Sequence, residues 1–419
     1  MMFRLLAGYL PFVLVNLALD FYVVRHGLLA KPNLSPVYRR RWRWGFLILM
    51  GSIYGGMPLL AWMGWEERSA FFRNTVQTTV LALLAFKVWA LPWLLLEDGR
   101  RGLKAFWRKV NPVHSEAPAE GMSRGAFLSR LGFLVGAVPL LGLGGAAVSG
   151  SAYRYRVHRQ PLRLKDLPGS FRGKRLVQIS DLHTGSLDDA EGVRRGLQMI
   201  LDLQPDIIVF TGDLVNTQTN EVEPWMEMLK LLKAPMGVYS VLGNHDYGDY
   251  RSWPDEQAKT RNFEQMVQVH KDLGWQLLRN EAVQIKGENG EFLELIGCEN
   301  WGRRSGFGKR YGNLTQAMEG LSTTAPKILL THDPSHFDLE VLGKHPSIAL
   351  TLCGHTHGMQ MGIDIPGQWR WSPASWVYPH WAGHYEFGDQ QLYVNRGFGF
   401  VGFRGRLGIY PEITCLELA

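Results

Sequence analysis

Long apolar stretches dominate the first 150 residues of the chain. Four of them lie at residues 5–24, 45–64, 75–96 and 127–149. Their lengths match the roughly 17–25 helical residues that cross a bilayer. A buried helical bundle is the alternative, and these lengths favour the membrane. The pattern therefore predicts a transmembrane anchor of four helices over residues 1–150.

Basic residues are distributed unevenly between these stretches. Lys and Arg are frequent at residues 25–43 and 100–124, whereas residues 65–74 contain only Arg68 and Arg73. Because Lys/Arg-rich flanks stay in the cytoplasm, we expect a multi-pass protein of the inner or cytoplasmic membrane, with its C-terminal part extracytoplasmic. Four arginines after the fourth stretch, at positions 154, 156, 159 and 163, favour the opposite orientation, but long translocated domains follow the rule less closely.

Asp20 and Lys87 are ionisable residues that lie within the apolar stretches. Charged residues inside a membrane are paired or functional. A transport role would need a path lined by several such charges, which these two do not form. We therefore expect a structural pair, with a Lys87 side chain that reaches the membrane surface as the alternative.

The pattern changes after residue 150, where short apolar runs alternate with amphipathic stretches. Runs at residues 175–180, 207–210, 238–242, 328–330 and 348–352 predict buried β-strands, and residues 193–203, 225–232 and 263–273 have helical spacing. Residues 277–285 and 292–296 flank a glycine-containing turn and predict a hairpin. Residues 151–419 are therefore predicted to form an α/β domain of two β-sheets sandwiched by helices.

Each of the five predicted buried strands is followed by one or two side chains that can bind a metal ion, namely an acid, an amide or a histidine. They are Asp181 and His183, Asp213, Asn244, His332, and His355 with His357. An acid and a histidine two residues apart at a strand end can both turn toward one metal ion. Oxygen and imidazole ligands together suit Mn, Fe or Zn better than Ca.

Composition narrows the classes of partner. The net charge of +7 and the isoelectric point near 9.2 are typical of nucleic-acid binders and also of membrane proteins with basic flanks. The basic clusters lie beside the apolar stretches, so we favour the membrane and expect no nucleic acid. Three cysteines are too few for a disulfide framework.

The metal-ligand motifs, taken together, resemble those of the calcineurin-like metallophosphoesterases. Asp-x-His, Gly-Asp, Gly-Asn-His-Asp, Thr-His-x-Pro and Gly-His-Thr-His occur in this order between residues 181 and 357. Each motif alone is weak, and the ordered set is a strong signal. The resemblance runs from about residue 174 to the C-terminus, and residues 394–399 and 410–413 are similar to the membrane-anchored bacterial branch.

The resemblance implies a cofactor of two divalent metal ions, each Mn, Fe or Zn. The first ion would be held by Asp181, His183, Asp213 and His357. The second would be held by Asp213, Asn244, His332 and His355. A carboxylate that bridges two cations ~3.5–4 Å apart lets the pair clamp the attacking and leaving oxygens of a phosphate.

The resemblance also implies two catalytic residues. His245 would protonate the leaving oxygen, and Asp246 would orient the His245 imidazole. Arg303, Arg304 and Arg396 are candidate substrate contacts, although a solvated basic loop is an equal alternative at residues 303–310. The aromatic stretch at residues 369–385 is either a hairpin packed on the core or a wall for an apolar substrate or membrane.

These features predict a membrane-anchored dinuclear phosphoesterase that hydrolyses a phosphate mono- or diester. A lipid or cell-envelope substrate suits an extracytoplasmic domain. A hydrolase similar to UDP-2,3-diacylglucosamine pyrophosphatase is the alternative if the domain is cytoplasmic. A catalytically inert sensor or scaffold is an alternative of another class, which the complete ligand set disfavours.

Overall fold

The computed structural model describes residues 2–29, 35–62, 69–111, 124–302, 309–322, 325–365 and 368–419. The chain divides into two compact units, Met1–Gly145 and Ala146–Ala419. The first unit is helical, and the second combines strands and helices.

Four long helices follow one another through the first part of the chain. They are α1 (Met2–Leu29), α2 (Pro36–Trp62), α3 (Ala70–Val110) and α4 (Arg124–Val148). The described residues of each predicted apolar stretch are helical, as expected, except residue 149, which follows the end of α4. Among the described residues, α3 and α4 are the helices long and apolar enough to cross a membrane.

The helices extend beyond the apolar stretches into the basic segments that flank them. Arg39, Arg40, Arg41 and Arg43 lie inside α2, and Arg100, Arg101, Lys104, Arg108 and Lys109 lie inside α3. Arg and Lys are strong helix formers, so an apolar helix continues through them. The unequal distribution of basic residues is unchanged.

The expected pair between Asp20 and Lys87 is confirmed. The Lys87 Nζ atom lies 2.9 Å from Asp20 Oδ1, and both side chains are buried. The same ammonium donates to Asn16 Oδ1 at 3.1 Å and to the Tyr54 hydroxyl at 2.6 Å. A buried ammonium is stable only when its hydrogens find acceptors. Because the acceptors of Lys87 lie in α1 and α2, the cluster joins these helices to α3.

The second unit contains two six-stranded sheets and a separate two-stranded ribbon. Its strands are β1 (Arg156–Leu162), β2 (Arg175–Ile179), β3 (Ile207–Phe210), β4 (Val238–Ser240), β5 (Gln276–Leu277), β6 (Glu281–Lys286), β7 (Phe292–Gly297), β8 (Lys327–Leu330), β9 (Ile348–Cys353), β10 (Ile363–Ile365), β11 (Trp369–Trp371), β12 (Gly383–Phe387), β13 (Gln390–Val394) and β14 (Glu412–Leu418). Its α-helices are α5 (Ala190–Asp202), α6 (Met226–Leu229), α7 (Glu256–Asp272) and α8 (Leu314–Ala317).

The first sheet has the order β1-β14-β2-β3-β4-β5, and the second has the order β12-β13-β9-β8-β7-β6. Strands β2 to β5 run parallel to one another, as do β7, β8, β9 and β13. The ribbon pairs β10 with β11 in antiparallel fashion. The predicted two-sheet architecture is therefore confirmed.

Central strands are continuously apolar because both of their faces are covered. In β3, Ile207 and Val209 join the core between the two sheets. The alternate residues Ile208 and Phe210 pack in a second core with apolar residues of α5 and α7. Because side chains alternate across a strand, burial on both faces removes the two-residue polar alternation.

Helix boundaries differ from the predicted ones. The predicted helix at residues 225–232 is α-helical only over Met226–Leu229. The helix predicted at 263–273 begins at Glu256, where the Asp255 side chain accepts the amide hydrogen of Ala258. The predicted hairpin is β6–β7, and it starts at Glu281 because Gln276–Leu277 pairs with β4 in the other sheet.

Candidate metal centre

The predicted ligands follow the carboxyl ends of five parallel strands. In the first sheet, Asp181 and His183 follow β2, Asp213 follows β3, and Asn244 follows β4. In the second sheet, His332 follows β8, and His355 and His357 follow β9. The carboxyl ends of parallel strands meet at one edge of a sheet, which is the usual position of sites in α/β proteins. His355 is half-buried and the other six residues are buried.

One cluster combines Asp181, His183 and His357. Their ligand atoms all lie within 4.8 Å of one another. The Nε2 atom of His357 is 3.2 Å from Asp181 Oδ1 and 3.1 Å from His183 Nε2. An oxygen and two imidazole nitrogens that converge in this way could hold one transition-metal ion.

A second cluster combines Asp213, His332 and His355. The Asp213 Oδ2 atom lies 3.0 Å from His332 Nε2 and 3.5 Å from His183 Nε2. The Asp213 carboxylate therefore reaches a histidine of each cluster, as a bridging ligand must.

Asn244 provides the best test of whether these residues fit a metal ion. Its Nδ2 group donates to the Tyr250 hydroxyl at 2.8 Å, which directs Oδ1 the other way. Asn244 Oδ1 is buried and has no hydrogen-bond partner among the described residues. A buried amide oxygen without a partner is costly, and a cation would satisfy it.

Neighbouring groups contact one ring nitrogen of each histidine in the second cluster. The Nδ1 atom of His332 contacts the Thr211 carbonyl oxygen at 2.7 Å, so Nε2 is left for a metal. The Nε2 atom of His355 contacts the Tyr378 hydroxyl at 2.8 Å, so its Nδ1 is left. Ligand histidines generally use their second nitrogen in this way. The donor set and its supporting contacts therefore fit a pair of divalent cations.

The electrostatics of the site favour positive charge. Burial lowers the pKa of His332, but the carboxylate of Asp213 and then that of Asp181 outweigh burial and raise the pKa to about 10. Burial raises the pKa of Asp181, yet the His357 and His332 imidazoles hold it below its ordinary value. The two buried carboxylates thus create a negative potential that divalent cations would neutralise.

Most of the ligands have a strained backbone. Asp181, His183, Asp213, His355 and His357 have positive φ angles between 47° and 74°. This left-handed conformation costs ~1–3 kcal/mol for a non-glycine residue and occurs often at functional sites. The two glycines of Gly-Asp and Gly-Asn-His-Asp allow the close approach of these loops, because a Cβ at Gly243 would lie 2.2 Å from Asp213 Oδ1.

His245 lies at the edge of the clusters, next to Asn244. Its backbone amide donates to Asp213 Oδ1 at 2.9 Å, and its Nδ1 contacts the Asn216 carbonyl oxygen at 2.6 Å. The imidazole stacks on Tyr250 with a centroid distance of 4.4 Å. Because a carbonyl oxygen can only accept, Nδ1 carries the proton of that bond, and Nε2 is available to a substrate.

The structure corrects the role expected for Asp246. Its two carboxylate oxygens accept the backbone amides of Asp213, Leu214, Val215 and Gly243 at 2.8 to 3.3 Å. The Nδ1 atom of His245 instead contacts Asn216. Burial, and then the charge of Asp213, raise the pKa of Asp246 to about 7. Asp246 therefore joins the loops after β3 and β4 and does not orient the His245 ring.

The three arginines predicted as substrate contacts differ in what the structure shows. Arg303 and Arg304 lie outside the described residues. Arg396 is buried, and its guanidinium pairs with Glu412 and, at 2.9 Å, with Asp364. Two of its guanidinium nitrogens are therefore occupied by acidic side chains, and the assignment of Arg396 as a substrate contact stays a prediction.

Sequence reasoning missed several supporting residues. Asn216 contacts His183 and His245, and Tyr250 and Tyr378 contact Asn244 and His355. Arg406 is fully buried and donates to the carbonyl oxygens of His357, Arg396 and Gly397. Burial lowers the pKa of Arg406 to about 10. Of these residues, only Asn216 could have been found from the sequence, because it lies three residues after the predicted ligand Asp213.

The aromatic residues at 369–385 are partly packed in a core and partly exposed, so each of the two predicted alternatives describes some of them. Tyr378 and Trp381 are buried in a small core with Ala374, Ala382 and Ile409. Trp369, Trp371 and Trp376 are exposed. Part of the stretch thus supports the site, and part forms a surface.

Two family models match the chain. Residues 174–359 match "Calcineurin-like phosphoesterase", and residues 4–151 match "Probable Calcineurin-like phosphoesterase, transmembrane domain". The two matches cover the metal-ligand motifs through His357 and the four long helices.

Three curated relatives show how widely the sequence pattern occurs. The chain is 30% identical over 260 residues to a Danio rerio transmembrane protein with metallophosphoesterase domain, covering 61% of this chain and 55% of that protein. It is 28% identical over 302 residues to Uncharacterized metallophosphoesterase YkuE of Bacillus subtilis, covering 70% and 98%. It is 26% identical over 297 residues to UDP-2,3-diacylglucosamine pyrophosphatase LpxG of Chlamydia trachomatis, covering 60% and 86%. The chain thus spans about half the length of the zebrafish relative.

Proposed function

Because the chain belongs to the calcineurin-like phosphoesterases and has their transmembrane domain, we propose that it is a dinuclear-metal hydrolase of phosphate mono- or diesters in the membrane. The observation that supports this most is the convergence of two ligand clusters on the Asp213 carboxylate. Seven oxygen and nitrogen donors for two cations are more than a structural role requires.

We assign the ligands as in the two sets predicted above, with Asp213 shared between them. Two bound ions would supply charge neutralisation and in-line positioning of the attacking and leaving oxygens. His245 donates a proton from Nε2 to the leaving oxygen, while the Asn216 carbonyl holds its ring by Nδ1. Asn244 contributes a neutral oxygen, which keeps the site attractive to an anionic substrate.

The proposed substrate is a lipid or cell-envelope phosphate ester. The chain is a membrane protein, so a substrate that resides in or near the bilayer meets the domain at high local concentration. The unequal basic residues between the apolar stretches support an extracytoplasmic domain. That location would remove cytoplasmic nucleotides as substrates.

A second candidate is a pyrophosphatase that acts on a substrate such as UDP-2,3-diacylglucosamine. The observation that favours it is the similarity to LpxG, whose matched region covers 86% of that protein. This second function requires the phosphoesterase domain to lie in the cytoplasm, where nucleotide substrates are found. An inert sensor or scaffold is the third candidate, and the complete set of seven predicted ligands disfavours it.

The test is a hydrolysis assay on the full chain purified in detergent, stripped of metal and reloaded with Mn or Zn. We expect metal-dependent release of p-nitrophenolate from its phosphate mono- or diester, followed by hydrolysis of lipid phosphates in mixed micelles. His380→Ala is a matched control, because His380 pairs with Asp338 outside both clusters. Protein that binds two metal ions and hydrolyses none of these compounds, nor UDP-2,3-diacylglucosamine, would support the scaffold.

A further inference from the structure

The two-stranded ribbon of β10 and β11 exposes its apolar face and turns its polar face toward the domain. Its register pairs Ile363 with Trp371, Asp364 with Arg370, and Ile365 with Trp369. Because paired residues and residues two apart share a face, the Ile and Trp side chains lie on one face and the Asp–Arg pair on the other. An antiparallel sheet in water normally buries its apolar face.

Here the apolar face is the exposed one. Ile363, Ile365, Trp369 and Trp371 are all exposed, and the Trp376 ring packs edge-on against Trp371 at 5.8 Å while 76% exposed. We name these five residues the ribbon patch. Among the described residues after 150, the exposed large apolar side chains outside it are Leu231, Tyr250, Met359 and Leu407. Contiguous exposed apolar patches usually mark a contact with another molecule or a membrane.

The polar face of the ribbon is fixed against the domain. The Asp364 carboxylate pairs with Arg396 at 2.9 Å, and Arg396 is itself buried against Glu412. The Arg370 guanidinium lies over the Tyr385 ring, 4.6 Å from its centroid. Turning the ribbon over would break a buried ion pair. The exposure of the apolar face is therefore enforced by the fold.

We propose that the ribbon patch lies in the interfacial layer of the membrane and contacts phospholipid. Tryptophan is the residue enriched at this depth, and three of the five patch residues are Trp. The contact requires no particular substrate, so it is independent of the hydrolysis proposed above.

Chain continuity supports a membrane as the occupant. The last residues of α4, from Ala146, belong to the same compact unit as the ribbon. A Cβ at Gly405 would lie 2.9 Å from the Ala146 carbonyl carbon, and the next amide, of Arg406, donates to Ser151 Oγ. Leu407 then exchanges backbone hydrogen bonds with Gln360 and Gly362, immediately before β10. A short path of direct contacts thus connects Ala146, the first residue of the second unit, to the patch.

Charge near the patch also suits a bilayer surface. Arg159 lines one cavity of about 630 Å³ together with Ile365 and Trp369. Arg154, Arg156 and Arg163 belong to the same segment of the chain as Arg159, and all four arginines are exposed. Exposed cations beside apolar side chains are attracted by anionic headgroups.

The experiment places a single fluorescent label on the patch of the full chain in lipid nanodiscs. Ile363→Cys, Ile365→Cys and Trp371→Cys are each labelled with a bimane dye, and acyl chains carrying bromine serve as the quencher. The native cysteines are buried, so the unsubstituted chain provides the labelling background. An interfacial segment lies ~5–10 Å into the headgroup–acyl boundary, so we expect about a twofold loss of fluorescence in brominated nanodiscs.

Leu231→Cys is the matched control, because Leu231 is an exposed leucine outside the patch. Its fluorescence should not change with bromination. Circular dichroism of each variant verifies folding, and three patch positions ensure that a folded one can be measured. Patch labels that behave like the Leu231 label would overturn the proposal. Disulfide formation between Ile363→Cys residues of two copies, without quenching by lipid, would also overturn it and identify a second copy as the occupant.

Discussion

The carbonyl oxygen of Asn216 holds the Nδ1 atom of His245 at 2.6 Å. The side chain of the same residue contacts Nδ1 of the ligand His183 at 3.0 Å. One residue thus orients a predicted metal ligand and the proposed acid together, and the two rings meet edge to face with centroids 4.8 Å apart. If both proposed roles hold, the loop after β3 couples the geometry of the metal site to proton transfer.

Replacing His245 by Asn should reduce hydrolysis while the metal content stays at two ions. Loss of a general acid costs roughly 10²–10⁴-fold in rate when the leaving group is a poor one. The reduction should be much smaller with p-nitrophenolate, which leaves without a proton. Rates with an alkyl and a p-nitrophenyl ester, measured beside metal analysis, distinguish this role from that of a ligand. Equal reductions for both esters, or loss of metal, would contradict it.

Asp246→Ala should destabilise the metal-free protein. Four backbone amides of the loops after β3 and β4 lose their acceptor. An unsatisfied buried donor costs ~1–3 kcal/mol, so the free energy of unfolding of the domain should fall by more than about 3 kcal/mol. Denaturant unfolding measures it, with His245→Asn as the neighbouring control. A stable Asp246→Ala variant with slow turnover would restore the role of Asp246 in orienting the imidazole.

Asp213→Ala should lose both metal ions, because its carboxylate reaches histidines of both clusters. Elemental analysis of the purified variant should give much less than one ion per chain. Asp338→Ala removes a carboxylate that pairs with His380 outside the site, and it should retain two. Full metal content in Asp213→Ala would refute the shared position.

The ends of the central strands could be predicted from the sequence. These strands are buried on both faces, so each appears as a continuous apolar run that stops at a polar residue. A continuous run such as residues 207–210 followed by Asp213 identifies both the strand and the ligand. The role of Asp246 could not be predicted, since its amide partners come together only when the ends of β3 and β4 meet. The positive φ angles of Asp181 and His355 likewise depend on tertiary contacts, such as the His355 amide on the Asp181 carboxylate.

The ribbon shows another limit of the sequence pattern. Alternation in Ile363, Asp364 and Ile365 predicts a strand with two unlike faces, and it does not say which face is inward. The Asp364–Arg396 pair decides this, and it joins residues 32 positions apart. Apolar periodicity also missed the ends of α2 and α3, because basic residues continue a helix as readily as apolar ones.

Lys87→Met should destabilise the helical unit more than the double variant Asp20→Leu/Lys87→Met. The single change leaves a buried carboxylate without its cation, and breaking a buried pair costs ~3–5 kcal/mol. Replacing both partners by apolar side chains should recover most of that loss. Unfolding in mixed detergent micelles compares the three proteins. A double variant as unstable as the single one would show that the pair does not act as a unit.

The orientation of the catalytic domain gives the last prediction, because it decides between the two proposed substrate classes. Basic residues resist translocation, so the basic segments at residues 25–43 and 100–124 should both stay in the cytoplasm. The poorly basic residues 65–74 lie between them and should be outside. Two crossings between the basic segments keep both of them inside, and the single crossing by α4 then places everything after α4 outside. An alkaline phosphatase fused after Ala419 should be active, and a green fluorescent protein exported there by the Sec route should be dark.

Fusions after Lys109 are the matched control, since this residue lies in a basic segment that should remain in the cytoplasm. There the fluorescent protein should be bright and the phosphatase silent. Bright fluorescence after Ala419 would reverse the topology and give the domain access to cytoplasmic nucleotides. Hydrolysis of a UDP-2,3-diacylglucosamine-like pyrophosphate would then become the better assignment, because the similarity to LpxG and the location would agree. The same metal centre would serve either substrate, since both reactions displace an oxygen from phosphorus.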